Sequence, residues 1–473
     1  MFTPARIRLL VVTCCALFMA MLDNLVLGVA LPSIQRSFNA GITDLQWFMN
    51  AYTLAFSVLL IPFSMMGERF GRKKMFLTGL VLFTVGSVLC GLSGNSLQLI
   101  LSRALQGVGG AAIVPLSLTL VNAGFPENMR AAAFGIWSGI SGLGLSIGPL
   151  IGGLIVEGAP WQMIFWVNVP IGLLSLLFGS FWLTETKGER KPLDLPGVLL
   201  IAAGLFGIVY GLEQGNTKGW TSLEVIGSLV TGTVLLILFY VWERNRETPY
   251  IRFALFRNRR YTAYIFTGFW MNAGIFGAIF LLTLFLQQAQ GYSALEAGVR
   301  TMAWTGCTMI CAPIAGLAVG RFGSRTVLTV GMTAQALALA GFAVLIATAG
   351  VDVPFLWQAP LMMLAGAGMG LSFTPLAHGI MTSVPEQSSG EASGVSNATR
   401  ELGGVFGIAI SGLIFQSGAA IRTPDDFGTH LVPALWSSAA MIVLGVSFAL
   451  LLAATRLVRR KLRHAEAQAA GSA

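Results

Sequence analysis

Charge is scarce in this sequence. Asp, Glu, Lys and Arg make up 10% of its 473 residues, against about 25% in a soluble domain. A surface so poor in charge excludes an ordinary water-soluble protein. Histidine is scarcer still: His378, His430 and His464 are the only three, and each falls near a span end or in a tail. No Ser/His or His/Asp/Glu cluster sits at a membrane surface, which argues against a multispan enzyme. There are five cysteines, Cys14, Cys15, Cys90, Cys307 and Cys311. All lie inside apolar runs without metal-ligand spacing, so neither metal nor cofactor is expected. No Walker A motif occurs, which removes ATP as the driving force. No tail is long enough for a sensor's soluble domain.

What is there is apolar. Hydrophobic residues make up 55% of the chain, and the mean hydropathy is +0.76. A span needs about 20 apolar residues. Fourteen candidates are found, near 9–31, 46–66, 75–94, 98–122, 131–155, 162–183, 196–213, 222–242, 262–286, 296–318, 327–348, 355–376, 391–416 and 432–455. Arg6 and Arg8 precede the first run as in a signal peptide, but no small-residue cleavage site follows, so an uncleaved span is expected. The fold class is an all-α polytopic membrane protein of 14 transmembrane helices.

The formal net charge of +9 follows topology rather than nucleic-acid binding. With the N-terminus in the cytoplasm, inside segments hold 23 of the 29 Lys and Arg, including Arg69, Arg72, Lys73, Lys74, Arg130, Arg190, Lys191, Arg252 and Arg321. Outside loops hold only Arg36, Lys218 and Arg422. That asymmetry is the positive-inside pattern, and it puts both termini in the cytoplasm. The lipid bilayer is the expected partner of the basic face.

The chain is built twice. Gly67-Glu68-Arg69-Phe70-Gly71-Arg72-Lys73-Lys74 follows span two. A weaker copy, Gly320 to Arg325, follows the second span of the last six. A fainter echo relates Gly107, Gly109 and Pro115 to Gly368, Gly370 and Pro375. It puts an apolar residue near Leu364 where the first copy has Arg103. Repeated helical halves mark a secondary transporter. The expected divisions are a first six-helix half at 1–183 and a linker with two extra spans at 184–261. A second half at 262–455 and a basic tail at 456–473 follow.

Several polar residues stand out against this background. Asp23 lies mid-span, where a carboxylate costs about 2.5–3.5 kcal/mol. It must face a cavity, pair with a cation or spend time protonated. Proton carrier and structural partner of a helix-borne Arg both remain open. Arg103 has no counterpart in the second half, which favours coupling over a fold requirement. Arg400 and Glu401 are adjacent, point about 100° apart, and are not expected to neutralise each other fully. Glu401 is a second candidate proton site. Gly144, Gly148 and Gly152 share one helix face. With Pro149 and Gly153 they suggest a pliable, close-packed helix between the halves. In the loop, Gly71 permits a tight turn. Glu68 is placed to meet a helix N-terminus or an Arg, making a gate with Arg69 and Arg72. Asp23, Asn50, Gln106, Phe276 and Arg400 are candidates to line a substrate cavity.

Taken together these segments resemble the major facilitator superfamily, and within it the fourteen-span drug/proton antiporters. Leu22-Asp23-Asn24 through Pro32 is similar to the family's first-span motif. Ser64 through Lys73 is similar to its loop motif, with Ser64 and Glu68 for the usual Gly and Asp. Arg103, Gln106, Gly107 and Gly109 resemble the span-four motif, and Gly144 through Gly153 the antiporter motif of span five. Trp161 through Phe165, with Asn168 and Pro170, fits a further pattern. The resemblance implies the major facilitator fold and proton-coupled export of lipophilic or cationic drugs across a bacterial-type cytoplasmic membrane; a monomer is expected. It links Asp23 and Arg103 to proton coupling. A dedicated exporter of an antibiotic, amino acid or siderophore is the alternative.

Overall fold

The computed structural model describes residues 3–187, 194–246, 249, 253–384, 389–417 and 423–470. Arg190, Lys191, Arg252 and Arg422 lie outside the described residues, as do the side chains of Arg130 and of 451–470. Among the described residues no strand occurs. In hydrocarbon the backbone must satisfy itself, and a helix does so within one segment.

The first group of helices is α1 (Pro4–Phe38), α2 (Ile42–Phe70), α3 (Arg72–Gly91), α4 (Ser96–Gly124), α5 (Glu127–Gly158), α6 (Met163–Trp166) and α7 (Asn168–Trp182). A hairpin follows, α8 (Leu195–Lys218) and α9 (Leu223–Arg244). The last group is α10 (Arg259–Leu284), α11 (Ala294–Phe322), α12 (Ser324–Ala349), α13 (Phe355–Met381), α14 (Ser389–Phe415) and α15 (Pro424–Ala470). Each of the fourteen sequence-predicted spans has its helix. Two are interrupted. The span at 46–66 bends by 48° between Leu60 and Pro62, where proline deletes a backbone donor. The span at 162–183 is divided at Val167 into α6 and α7.

Local chemistry marks the helix starts. Asn95 accepts from Gln98 N and Ser222 from Val225 N. Ser293 and Glu296 form a reciprocal capping box on α11, leaving fewer orphan amides at that end. Two turns have no loop at all: α2 passes into α3 through Gly71 at φ +118°, and α11 into α12 through Gly323 at φ +80°. Only glycine takes such angles at low cost.

The repeat is visible in the packing. A Cβ on Gly107 of α4 would strike the Tyr52 carbonyl of α2, and one on Gly366 of α13 would strike the Trp304 carbonyl of α11. Gly109 packs likewise on Gly79 and Phe83 of α3, and Gly368 on Gly331 of α12. One offset relates Gly71, Tyr52 and Gly79 to Gly323, Trp304 and Gly331. The structural equivalent of Gly107 is therefore Gly366, not Gly368. The glycine echo read from sequence was two residues out of register because glycine repeats every second position there. Arg103 consequently corresponds to Met362, which is buried, rather than to a residue near Leu364.

The two groups meet along two seams, α5 against α11 and α2 against α14. Hydrogen bonds between the groups gather at the end away from the Gly71 turn. Gln46 Nε2 donates to the Ile408 carbonyl at 3.1 Å, Gln416 Nε2 to Gln46 Oε1 at 3.0 Å, and Gln287 Nε2 to the Val29 carbonyl at 2.9 Å. Helix α8 lies against both α2 and α14, with Phe206 and Tyr210 beside Trp47.

Candidate functional site: a buried ion pair beside an apolar cleft

Asp23, Arg103, Gln106 and Asn168 come together inside the first group, each at most 1% exposed. Their arrangement begins with glycine. Gly107 and Gly110 let α2 approach α4 closely enough for Tyr52 to lie under the Arg103 guanidinium, 4.5 Å from the ring centroid. Gly86 brings α3 against the Gln106 backbone, where a Cβ would stand 2.8 Å away. Ser87 of α3 thereby reaches the Gln106 amide.

The polar groups then close on one another. Arg103 Nη1 donates to Asp23 Oδ2 in an ion pair and to Gln106 Oε1 at 2.6 Å, while Nε donates to the Phe48 carbonyl at 3.1 Å. Gln106 Nε2 donates to Asp23 Oδ1 at 2.8 Å and to Ser87 Oγ at 3.0 Å. Asn168 Nδ2 donates to Asp23 Oδ1 at 2.9 Å. Asp23 thus accepts from three side chains on α4 and α7, the coordination an ionised carboxylate takes. Removing either ion-pair partner would strand the other charge, at about 3–5 kcal/mol.

The cleft is a different place. It is narrow, with a cavity volume of about 20 Å³. Leu25, Gly28 and Val29 of α1, Met49 of α2 and Pro149 of α5 line it from the first group. Ile279, Phe280 and Thr283 of α10 and Thr301, Trp304 and Thr305 of α11 line it from the last. Asp23 and Leu25 are about 200° apart on α1, so one helix shows its carboxylate to α4 and α7 and its apolar face to the cleft.

The remaining candidates are dispersed. Of them only Pro149 lines this cleft. Asn50 is buried on α2, and Phe276 of α10 packs near Gly404 of α14. Arg400 and Glu401 pair at 3.7 Å. Arg400 also lies over the Phe373 ring at 5.1 Å. Gly144, Gly148 and Gly152 face α1, with Cβ positions 3.0 Å from Met21 Cβ, 3.2 Å from the Leu22 carbonyl and 2.8 Å from the Val26 carbonyl. The stripe therefore packs within its own group, and it is Gly153 and Pro149 that meet α11, at Ala294 and Gly298.

At the Gly71 turn, Arg72 donates to both carboxylate oxygens of Glu68, at 2.8 and 2.7 Å. Arg69 is exposed beside Phe70. The α3 N-terminus is taken instead by Glu185, which accepts from Lys73 N at 3.0 Å and Lys74 N at 3.1 Å. At the opposite end Glu157 of α5 accepts from Ser293 Oγ at 2.8 Å and Leu295 N at 3.1 Å, closing the α5–α11 seam on the start of α11. Sequence reading missed both carboxylates: each lies at a span end, where an acid looks like ordinary surface. Asn168 was seen only within a motif, because an amide carries no charge to draw attention to it.

The helices, their repeat and the buried pair define a polytopic α-helical transporter fold. The family model described as Major Facilitator Superfamily matches residues 13–408, and the chain belongs to that superfamily. It is 35% identical over 410 residues to the multidrug resistance protein Stp of Mycobacterium tuberculosis, covering 86% of this chain and 75% of that one. It is 33% identical over 417 residues to the tetracenomycin C resistance and export protein of Streptomyces glaucescens (88% and 77%). It is 31% identical over 438 residues to the methylenomycin A resistance protein of Bacillus subtilis (92% and 93%). Among solved structures it is similar to a partially occluded inward-open form of the xylose transporter XylE from E. coli. The TM-score is 0.62 at 14% identity, over 94% of this chain and 97% of that one. That likeness concerns the fold.

Proposed function

We propose that the protein is a proton-coupled antiporter that exports lipophilic or cationic drugs across the cytoplasmic membrane, with both termini in the cytoplasm. The observation that carries this reading is the Asp23–Arg103 pair, buried midway along α1 on the reverse of the face that lines the cleft. Relatives named for drug resistance and export support the cargo class.

In the proposed cycle, cargo enters from the cytoplasm while the seams are joined at the far end through Gln46, Gln416, Gln287 and Glu157. Rocking of the first six spans against the last six opens that end and releases the cargo. A proton then reaches Asp23, the pair with Arg103 is weakened, and α1 is freed to shift on α4 and α7 during the return. Coupling runs through α1 as a body, since cargo and proton occupy opposite faces. Glu401 is a second site at which a proton can be held. Glu68 and Arg72, joined across Gly71, hold the α2–α3 turn on the cytoplasmic side, with Arg69 at the headgroups.

The drive is sufficient. One charge moving through about 100 mV releases about 2.3 kcal/mol, and each unit of pH gradient adds about 1.4 kcal/mol. For a monocation exchanged against one proton the voltage cancels and the pH gradient alone drives export. Everted vesicles containing the protein, given a pH gradient and a fluorescent lipophilic dye, are expected to take up dye until the gradient is collapsed. Uptake that ignores the gradient, for neutral and cationic dyes alike, would refute the proton-coupled reading. The kinship to exporters of single antibiotics supports a second reading, in which the same site serves one dedicated metabolite.

A further inference from the structure

We propose that Asn168 serves both protonation states of Asp23, donating to the carboxylate when it is ionised and, with its amide turned over, accepting from the carboxyl when it is protonated. The inference rests on the proton-antiport reading and assigns to one residue the exchange of hydrogen bonds that such a cycle requires.

A protonated carboxyl has a hydrogen to donate, and inside a dry helix bundle that hydrogen needs an acceptor. Asp23 has three side-chain partners. Arg103 can only donate. Gln106 is held from both ends: Oε1 accepts from Arg103 Nη1, with Cys90 Sγ at 3.8 Å, and Nε2 is engaged by Ser87 and Asp23. Turning its amide would press NH2 against a guanidinium. Asn168 is held from one end only. Its Nδ2 meets Asp23, while its Oδ1 is buried and has no hydrogen-bond partner among the described residues. Half a turn about the last side-chain bond exchanges the two ends without moving the backbone. Asn168 also opens α7, immediately after the division at Val167, so the helix start fixes its position beside α1.

In the step, a proton adds to Asp23 and its bond to Arg103 changes from an ion pair to an ion–dipole contact. Arg103 keeps Gln106 Oε1, the Phe48 carbonyl and the Tyr52 ring. The ionisable groups facing the Asp23–Arg103 pair are Tyr52 from α2 and Cys90 from α3, with Glu401 of α14 acting on Tyr52 from the last group. Segments α6 and α7 carry none.

The test uses the full-length protein in liposomes, with ethidium as the transported probe, and compares wild type, Asn168→Leu, Asn168→Asp and Asp23→Asn. Two readouts are needed: the pH profile of proton-linked ethidium flux, and the infrared carboxyl band that Asp23→Asn deletes. Asn168→Leu removes a donor from the carboxylate and an acceptor from the carboxyl together, so its two effects on the profile oppose each other and the carboxyl band carries the test. The carboxyl band should move in the same variant, because the protonated form has lost its acceptor. Asn168→Asp, the same size, should move the profile upward, since two carboxyls then share a proton, and so checks that position 168 faces Asp23. An unmoved carboxyl band in Asn168→Leu, in protein whose wild type is proton-coupled, would overturn the proposal and leave the antiport reading standing. Wild-type flux without proton linkage would overturn both. If Asn168→Leu does not fold, the same band is read in Asn168→Ala, and an unmoved band there overturns the proposal alone.

Discussion

Where α4 crosses α2, Arg103 lies over Tyr52 and reaches Asp23. At the matching crossing of α13 on α11 the equivalent position is Met362, buried and neutral. The glycines beneath are shared: Gly107 on Tyr52 and Gly366 on Trp304, Gly109 on Gly79 and Gly368 on Gly331. Each helix pair also carries a neutral Gln–Ser contact, though at different levels, since Gln335 and Ser372 match Phe83 and Ile113. Gln106 of α4 donates to Ser87 of α3 at 3.0 Å, and Gln335 of α12 donates to Ser372 of α13 at 3.0 Å. What both groups possess belongs to packing. What only the first possesses, the charged pair and Asn168, is not needed to build a six-helix group and so is available for work.

The largest test of that contrast is Arg103→Met, which writes the second group's residue into the first. It strands the Asp23 carboxylate and should cost about 3–5 kcal/mol of stability, measurable as a fall in thermal unfolding temperature in detergent. The double variant Asp23→Asn/Arg103→Met should recover most of that loss while remaining uncoupled. A double variant no more stable than Arg103→Met alone would mean that the pair is part of the packing after all.

Next in size are the shared glycines. Gly107→Ala and Gly366→Ala each drive a methyl into a backbone carbonyl and should each cost about 1–3 kcal/mol. Similar losses in the two groups are expected from thermal unfolding, and a loss confined to one would break the equivalence.

A smaller effect is expected at the ends of the bundle. Glu157→Gln weakens a charged contact with the start of α11 by about 0.3–1 kcal/mol and should raise labelling of cysteines placed along the far end of the seam. Glu185→Gln removes a similar contact at the start of α3, within one group, and should leave that labelling unchanged. The smallest change belongs to Glu68→Gln. Its bond to Arg72 is an i,i+4 pair near the surface, worth about 0.3–0.5 kcal/mol, so thermal stability should barely move.

The span pattern was legible because hydrocarbon thickness dictates length and leaves few alternatives. Gly71 and Gly323 were legible because a turn without a loop demands glycine. Asp23 and Arg103 stood out because charge is costly at their depth. Three things were not legible. Periodicity gives the faces of a helix but not its neighbours, so α5 was legible as a helix between the halves, but not that its Gly144 stripe packs on α1 while Gly153 and Pro149 meet α11. Glycines spaced by two blur register, so Arg103 was matched near Leu364 rather than with Met362. Asn168 carries no charge and follows a break that hydropathy does not reveal.

The account turns on Asp23, and Asp23→Asn tests it most directly. In everted vesicles with an imposed pH gradient, the variant should lose gradient-driven dye accumulation by about 100-fold, the upper range of coupling free energies. Dye exchange down its own gradient should persist. Full gradient-driven accumulation by the variant would contradict the account.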